Sequence, residues 1–360
     1  MKRGFKVLIV NKKYSRDKKI IVITAYAAIF VGAFLIVLGV VTGAPWIAWA
    51  SIAYFAPLPY LFLRNYRLEC DSKGLRVTWR EYARLSLAPA VPLVCVVATT
   101  AVAMYMAAGA QGPIIFLYFN SIFLVVLLLI LFFPQILVFS YGATKTEDAG
   151  IIERVAAIAN RLGVRQIKTY ILPWKGLKVA NALQTGTFSN KSIFISDYLL
   201  QEMKPREVDT IIAHELAHAK GRHVLKKALL IAPLIFVEIN AIAWYFIALD
   251  PFILVIFFAA VIIELVSIPL LLMPLSRRFE TEADLAAVEV TGDPEAATSA
   301  LIRLRELNLI HGAPKRGRWL NSHPTFEARI EAITRRGVDM KMRDGNPSGD
   351  QRVDANSVSF

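Results

Sequence analysis

The sequence predicts a mainly α-helical membrane protein: about six transmembrane helices with a cytoplasmic domain that is helical and holds a small β-sheet. Three observations predict it. The 360 residues are 56% hydrophobic and 19% charged, with a mean hydropathy of +0.50; a soluble globular chain is about 45–50% apolar and about 25% charged. The apolar residues gather into stretches of the roughly 20 residues that a bilayer core demands. The basic residues gather beside those stretches rather than over the whole chain. Such a composition excludes a disordered chain, which lacks buriable apolar surface. The two cysteines, Cys70 and Cys95, exclude a disulfide scaffold.

Taken in chain order, residues 1–19 form a basic N-terminus with eight Lys/Arg against one Asp. Residues 20–140 hold four predicted spans, at 20–41, 45–63, 87–110 and 113–139. The first is too long for a signal-peptide core, and no small-residue cleavage site follows it, so it reads as a permanent anchor. The fourth contains Pro134, which predicts a kink or an exit from the membrane before it. The loop at 64–86 carries six Lys/Arg and three acids; its Asp71-Ser72-Lys73-Gly74 reads as a turn, and Leu75–Trp79 as a short strand. Residues 141–227 form the first water-soluble block. Two further spans, at 228–249 and 252–275, separate it from a second soluble block at 276–342. The Gly-, Ser-, Asn- and Asp-rich tail, 343–360, reads as disordered.

Of the net charge of +13, +10 lies in residues 1–19 and the 64–86 loop, while the loops at 42–44, 109–112 and 250–251 are nearly bare. The positive-inside rule therefore places the N-terminus and both soluble blocks in the cytoplasm, with the plasma membrane of a prokaryote as the expected location. A lipid bilayer is the expected partner. Nucleic acid is not, because no basic–aromatic interleaving accompanies the charge. Two acids fall inside spans, Glu238 and Glu264. Buried in a membrane they are expected to face protein or a wet path.

All five histidines lie after residue 213, and two form His214-Glu215-Leu216-Ala217-His218. The surrounding residues 205–220 read as a helix, opened by Pro205 and given apolar periodicity by Val208, Ile211, Ile212 and Leu216. Side chains four apart share a helix face, so both imidazoles can reach one metal ion. Glu215, beside them, can take a proton from a water that the ion polarises. A catalytic zinc takes three protein ligands and leaves a fourth position open. Candidates for the third are His223, one residue short of the metzincin spacing, and Glu280 or Asp284, four apart on a helix read at 279–290 that stops at Gly292. Of that acidic pair, one would bind the metal and the other would hydrogen-bond a ligand imidazole. Glu282 points elsewhere on the helix.

The order of these segments resembles the integral-membrane zinc metallopeptidases that include the HtpX heat-shock protease and the type I CAAX prenyl protease. The resemblance rests on H-E-x-x-H, then two spans, then Ser276-Arg277 with Glu280, Ala283 and Asp284. Ser322-His323-Pro324 followed by Arg329-Ile330 agrees with it, as does Asn181-Ala182 with Gly186 ahead of a strand at 192–196. The motifs span about residues 150–335. The resemblance implies a gluzincin-like zinc metallopeptidase domain, with Zn2+ held by His214, His218 and Glu280. It implies Glu215 as general base and Asp284 as the group that orients a ligand histidine. It implies His323 and Arg329 near the metal, holding substrate or stabilising an oxyanion. It implies the backbone at Asn181 and Ala182 as an edge strand that pairs with an extended polypeptide substrate. The implied activity is endopeptidase cleavage of membrane or membrane-associated proteins, in quality control; the alternative within the family is processing of lipidated C-termini. Four spans before the motif and two after match neither named member. A transporter with an accessory domain is the competing class, and no internal repeat supports it.

Overall fold

A computed structural model describes residues 16–25, 27–29, 31–32, 35, 39, 44–75, 77–87, 91–187, 190–248, 251–308 and 324–344. His323 and the tail from 345 onward therefore lie outside the described residues, as do 1–15 and much of the first expected span. The chain forms two compact units. One comprises Met1–Ala88, Trp174–Val179 and Arg305–Gly312; the other comprises Pro89–Pro173, Ala180–Leu304 and Ala313–Phe360.

In the first unit, the expected second span is not one helix. It is divided into α1 (Pro45–Ala50), α2 (Ile52–Phe55) and α3 (Leu58–Lys73). Pro57 caps α3, which also has a proline in its first turn, and proline cannot continue a preceding helix. The turn expected at residues 71–74 is present, with Gly74 closing α3 at a left-handed φ of 60°. The strand expected at Leu75–Trp79 is absent among the described residues there: α4 (Trp79–Leu87) begins at its end. Thr78-Trp79-Arg80-Glu81 is a capping box, in which Thr78 N–H donates to Glu81 Oε2 at 2.8 Å and Glu81 N–H donates to Thr78 Oγ1 at 3.3 Å.

The second unit opens with α5 (Val91–Ala108), α6 (Ile114–Leu131) and α7 (Phe133–Tyr141). The fourth expected span breaks at Phe132, where ψ reaches 12°, so α7 restarts with Pro134 in its first turn. After the soluble block come α11 (His223–Ala248) and α12 (Pro251–Thr291). Among the described residues two helices are long and apolar enough to cross a membrane, α6 and α11, and a shorter apolar stretch runs over Val94–Ala107. Six such helices are thus not seen. In α6 and α11 only 17% and 11% of the apolar window is buried, which separates them from core helices of a soluble protein. They pack with α5 around Ala103, Phe119, Ile122, Ile239 and Ala243. Asn120 Nδ2 donates to Asn240 Oδ1 at 2.9 Å between them. Glu238 is half-buried on α11, and the side chain of Glu264 lies outside the described set.

The block at 141–227 begins with β1 (Thr144–Lys145) and α8 (Ala149–Leu162), then β2 (Ile167–Leu172), β3 (Ala182–Thr185), β4 (Lys191–Ser196), α9 (Asp197–Glu202) and α10 (Pro205–Lys220). The strand order is β1-β2-β4-β3. β2 and β4 are parallel, with Ile167 opposite Lys191; β3 runs antiparallel to β4, with Ala182 opposite Ile195. β4 is buried on both faces from Ser192 to Ser196, as a central strand must be. β3 is left at the edge, beside α10. The helix start expected at Pro205 is reinforced by Glu207, whose carboxylate accepts the Lys204 N–H at 2.9 Å and the Ser299 hydroxyl at 2.8 Å.

α12 runs unbroken for 41 residues. It carries the sixth expected span and the acidic motif on one helix and ends at Gly292, whose φ is 68°. α13 (Pro294–Leu307) and α14 (Phe326–Asp344) then pack on it through Val288, Leu301 and Ile333.

Candidate metal centre

His214 and His218 project from one face of α10, with their Nε2 atoms facing each other 3.2 Å apart. α12 brings Glu280 opposite them. Its Oε2 lies 3.6 Å from His214 Nε2, and its Oε1 lies 3.6 Å from His218 Nε2. One donor atom from each of the three falls within 4.8 Å of the others. Two ligands bound at 2.0–2.1 Å to a tetrahedral zinc stand about 3.3 Å apart, so the observed spacing matches the donor set. At this distance the two Nε2 atoms can share one proton, or one cation can take its place between them. The residues fit a metal ion.

Behind these donors stands a buried polar chain. Asp284 Oδ1 lies 2.9 Å from His214 Nδ1, in a close but off-axis contact. Arg329 grips Asp284 with a two-pronged fork, Nε to Oδ2 at 2.7 Å and Nη2 to Oδ1 at 2.6 Å. Burial favours the neutral form of Asp284, but Arg329 and then His214 outweigh it and hold the carboxyl below its usual range. Burial likewise opposes a charged His214, yet the Asp284 and Glu280 carboxylates lift it to about 9. Burial and then His214 push His218 down to about 3. The pair thus accommodates one positive charge, not two.

Glu215 sits at the strand side. Its Oε2 accepts the backbone N–H of Gln184 at 2.8 Å. Burial raises its carboxyl pKa, and His214 and that N–H only partly offset the rise. A raised carboxyl is what general-base work near neutral pH calls for. Since strand positions alternate and Gln184 N–H turns to α10, Ala182 also presents its backbone away from β4. Asn181, by contrast, is tied to β4: its N–H donates to Ser196 Oγ at 3.0 Å, and its carbonyl accepts Ser196 N–H at 2.9 Å.

A cavity of about 410 Å³ joins these groups, lined by Asn181, Ala182, Leu183, His214, Glu215, His218, Glu280, Asp284 and Arg329 with an apolar wall including Leu301, Leu304 and Ile333. A second cavity of about 430 Å³ opens further along β3, between Gln184, Gly186, Lys191, His218 and Arg222. The strand so lies along both.

Of the site residues that the resemblance implied, Asn181, Ala182, His214, Glu215, His218, Glu280, Asp284 and Arg329 line one cavity; His323 lies outside the described residues. Arg329 stands on Asp284, with its Nη1 3.9 Å from Glu280 Oε2. His223 does not join the donor set; it touches His218 from behind. One participant escaped the sequence: Gln184 acts through its backbone, which no side-chain pattern reports.

A model of peptidase family M48 matches residues 145–337, more than half of the chain. Among curated relatives, Protease HtpX homolog 2 of Methanosarcina mazei is 28% identical over 172 residues, 43% of this chain and 53% of that protein. CAAX prenyl protease 1 homolog of Arabidopsis thaliana is 28% identical over 250 residues, 64% of this chain and 58% of that protein. The matched stretches thus span little more than half the length of these two relatives. Protease HtpX homolog of Pyrococcus furiosus is 26% identical, over 54% of this chain and 76% of that protein. The crystal structure of S. mikatae Ste24p shares the fold, with a TM-score of 0.65 at 18% identity over 91% of this chain and 89% of that one.

Proposed function

The chain belongs to peptidase family M48, and on that premise we propose that it is a membrane-embedded, zinc-dependent endopeptidase that cleaves membrane or membrane-associated polypeptides. The observation that carries this reading is the convergence of two Nε2 atoms 3.2 Å apart with Glu280 and Glu215 on either side. His214, His218 and Glu280 would hold the ion. Bound there, zinc polarises water and the scissile carbonyl.

The remaining steps fall to the chain's own groups. Glu215 Oε2 is held by Gln184 N–H, so Oε1 is the oxygen that takes the proton of the attacking water and returns it to the leaving nitrogen. The substrate lies extended along β3, adding a strand at its edge through the backbone of Ala182, and its side chains enter the two cavities. Asp284, clamped by Arg329, fixes the ring of His214.

Quality control of membrane proteins is the favoured role. The second reading, trimming of lipidated C-termini, is supported by the relative named CAAX prenyl protease 1 homolog, whose match takes in the largest share of this chain among the relatives named above. The test is made on the full chain purified in detergent. The proposal expects about one zinc per chain, casein cleavage that a chelator abolishes, and recovery on adding zinc. Cleavage that survives complete metal removal would refute it. Cleavage confined to prenylated peptides would replace quality control with C-terminal processing.

A further inference from the structure

His218 presents Nε2 to the centre, so its other nitrogen, Nδ1, points away from it. Nδ1 meets Nδ1 of His223 at 2.7 Å. A neutral imidazole carries one proton. For His218 to offer the Nε2 lone pair, its proton must sit on Nδ1 and be donated to His223. His223 must then keep Nδ1 bare and carry its own proton on Nε2. That atom lies 3.4 Å from Glu282 Oε2, an exposed carboxylate, in a charge contact that is not an aligned hydrogen bond. Donation therefore runs one way, from His218 to His223 and on towards Glu282, and it leaves the metal-facing lone pair of His218 exposed.

The pocket around His223 is built to hold it there. The ring is 3% exposed and stacks flat on Phe279, with centroids 3.9 Å apart and planes 3° from parallel. Phe279 is the residue before Glu280, so the same turn of α12 supplies one donor and the platform for another donor's support. On the other side the chain turns back sharply. α10 ends at Lys220, Arg222 takes a left-handed φ of 52°, and α11 starts at His223. A Cβ on Gly221 would fall 2.2 Å from His223 Nε2. Glycine is required at that position by the ring, not by its own backbone angles. A helix-end histidine with no role would need neither the left-handed turn nor the missing side chain.

We propose that His223 is a positioning residue that fixes the tautomer and the ring orientation of His218, held in place by the stack on Phe279 and the turn at Gly221, with the Glu282 carboxylate favouring a proton on its Nε2. This rests on the metal-centre reading above. It gives His218 the counterpart of what Asp284 gives His214: each ligand imidazole is gripped at Nδ1, one by a carboxylate and one by a second imidazole. Outer partners of this kind typically change metal affinity by about 10–100-fold.

Zinc affinity of the full chain in detergent, measured by competition with a chromophoric chelator, and the absorption bands of the cobalt(II) form are the readouts. His223→Phe preserves the stack on Phe279 and removes the acceptor. It is expected to weaken zinc by roughly 10–100-fold and to move the cobalt bands, while the metal-free melting temperature stays at the wild-type value. His223→Gln, which restores an acceptor oxygen, is expected to recover much of the affinity. Gly221→Ala reaches the same contact without altering the ring and is expected to weaken zinc as well; it decides the matter if His223→Phe does not fold. Wild-type affinity and unshifted cobalt bands in a folded His223→Phe, or wild-type zinc affinity in Gly221→Ala, would overturn the proposal. The premise is read separately: a wild-type chain that binds zinc no better than His218→Ala would bring down the metal centre itself.

Discussion

Asp284 and Arg329 are 4% and 14% exposed, and each satisfies the other through two short hydrogen bonds. Taking one partner out of such a pair leaves an uncompensated charge, at a cost of about 3–5 kcal/mol. Asp284→Ala is expected to lower stability by that amount in denaturant unfolding. Arg329→Lys keeps the charge but loses the fork, so its expected loss is smaller while the orientation of His214, and with it metal affinity, suffers. Equal stability of Asp284→Ala and wild type would remove the bridge from the account. Much of this site was legible at the level of single residues. The pattern of two histidines four apart, and of two acids four apart on a later helix, already brings both pairs onto helix faces. Which acid faces the metal was not legible, because Glu280 and Asp284 differ only by one turn; the resemblance to a family named Glu280. The contact of His223 with His218 was hidden for a different reason. It depends on Arg222 adopting a left-handed conformation, which a non-glycine residue reaches only under tertiary constraint.

Among the elements, β3 is the one on which most depends and the one with least signal. It has four residues, and its position at the sheet edge follows from a crossover, since β4 inserts between it and β2. Its end is fixed by Gly186, with φ 87°; a Cβ there would stand 1.9 Å from the carbonyl oxygen of Asn190. Gly186→Ala is expected to cost more than about 1 kcal/mol and to reduce cleavage by displacing the strand; thermal unfolding and peptidase assays check both. The cap of α4 makes a contrasting case. Thr78 reads as a strand residue within a β-prone run, yet Glu81 three residues on turns it into a helix start. Thr78→Ala is expected to cost about 1 kcal/mol, with no effect on cleavage. A strand at this place would predict no such loss. The helix at Pro205–Lys220 and the stop at Gly292 were read as observed, because Pro205 and Gly292 mark a start and a stop that local chemistry enforces; the start expected at 279 was not, because the helix continues unbroken from Pro251.

Taken whole, the described residues divide their apolar side chains between exposed apolar helices, two of them candidate spans, and the buried core around the metal centre. The composition announced the first without fixing the number of helices. Hydropathy counts apolar residues, whereas prolines and the break at Phe132 decide where a helix continues. The charge of residues 1–19 and 64–86 carries the proposed orientation, with the N-terminus and the metal centre in the cytoplasm. A cysteine placed in the bare loop at Ala110 is expected to react with a membrane-impermeant maleimide in intact cells, and one placed at Glu295 is expected to be protected until lysis. The reverse pattern would invert the topology.

In the proposed mechanism Glu215 moves the proton while His214, His218 and Glu280 would hold the metal. The measurement that tests it most directly is the rate of casein cleavage by Glu215→Gln relative to wild type, both carrying one zinc per chain. Gln keeps the size and the contact with Gln184 N–H but cannot take a proton. The account predicts zinc retained and a rate reduced by about 100- to 10,000-fold; undiminished cleavage by the zinc-loaded variant would contradict it.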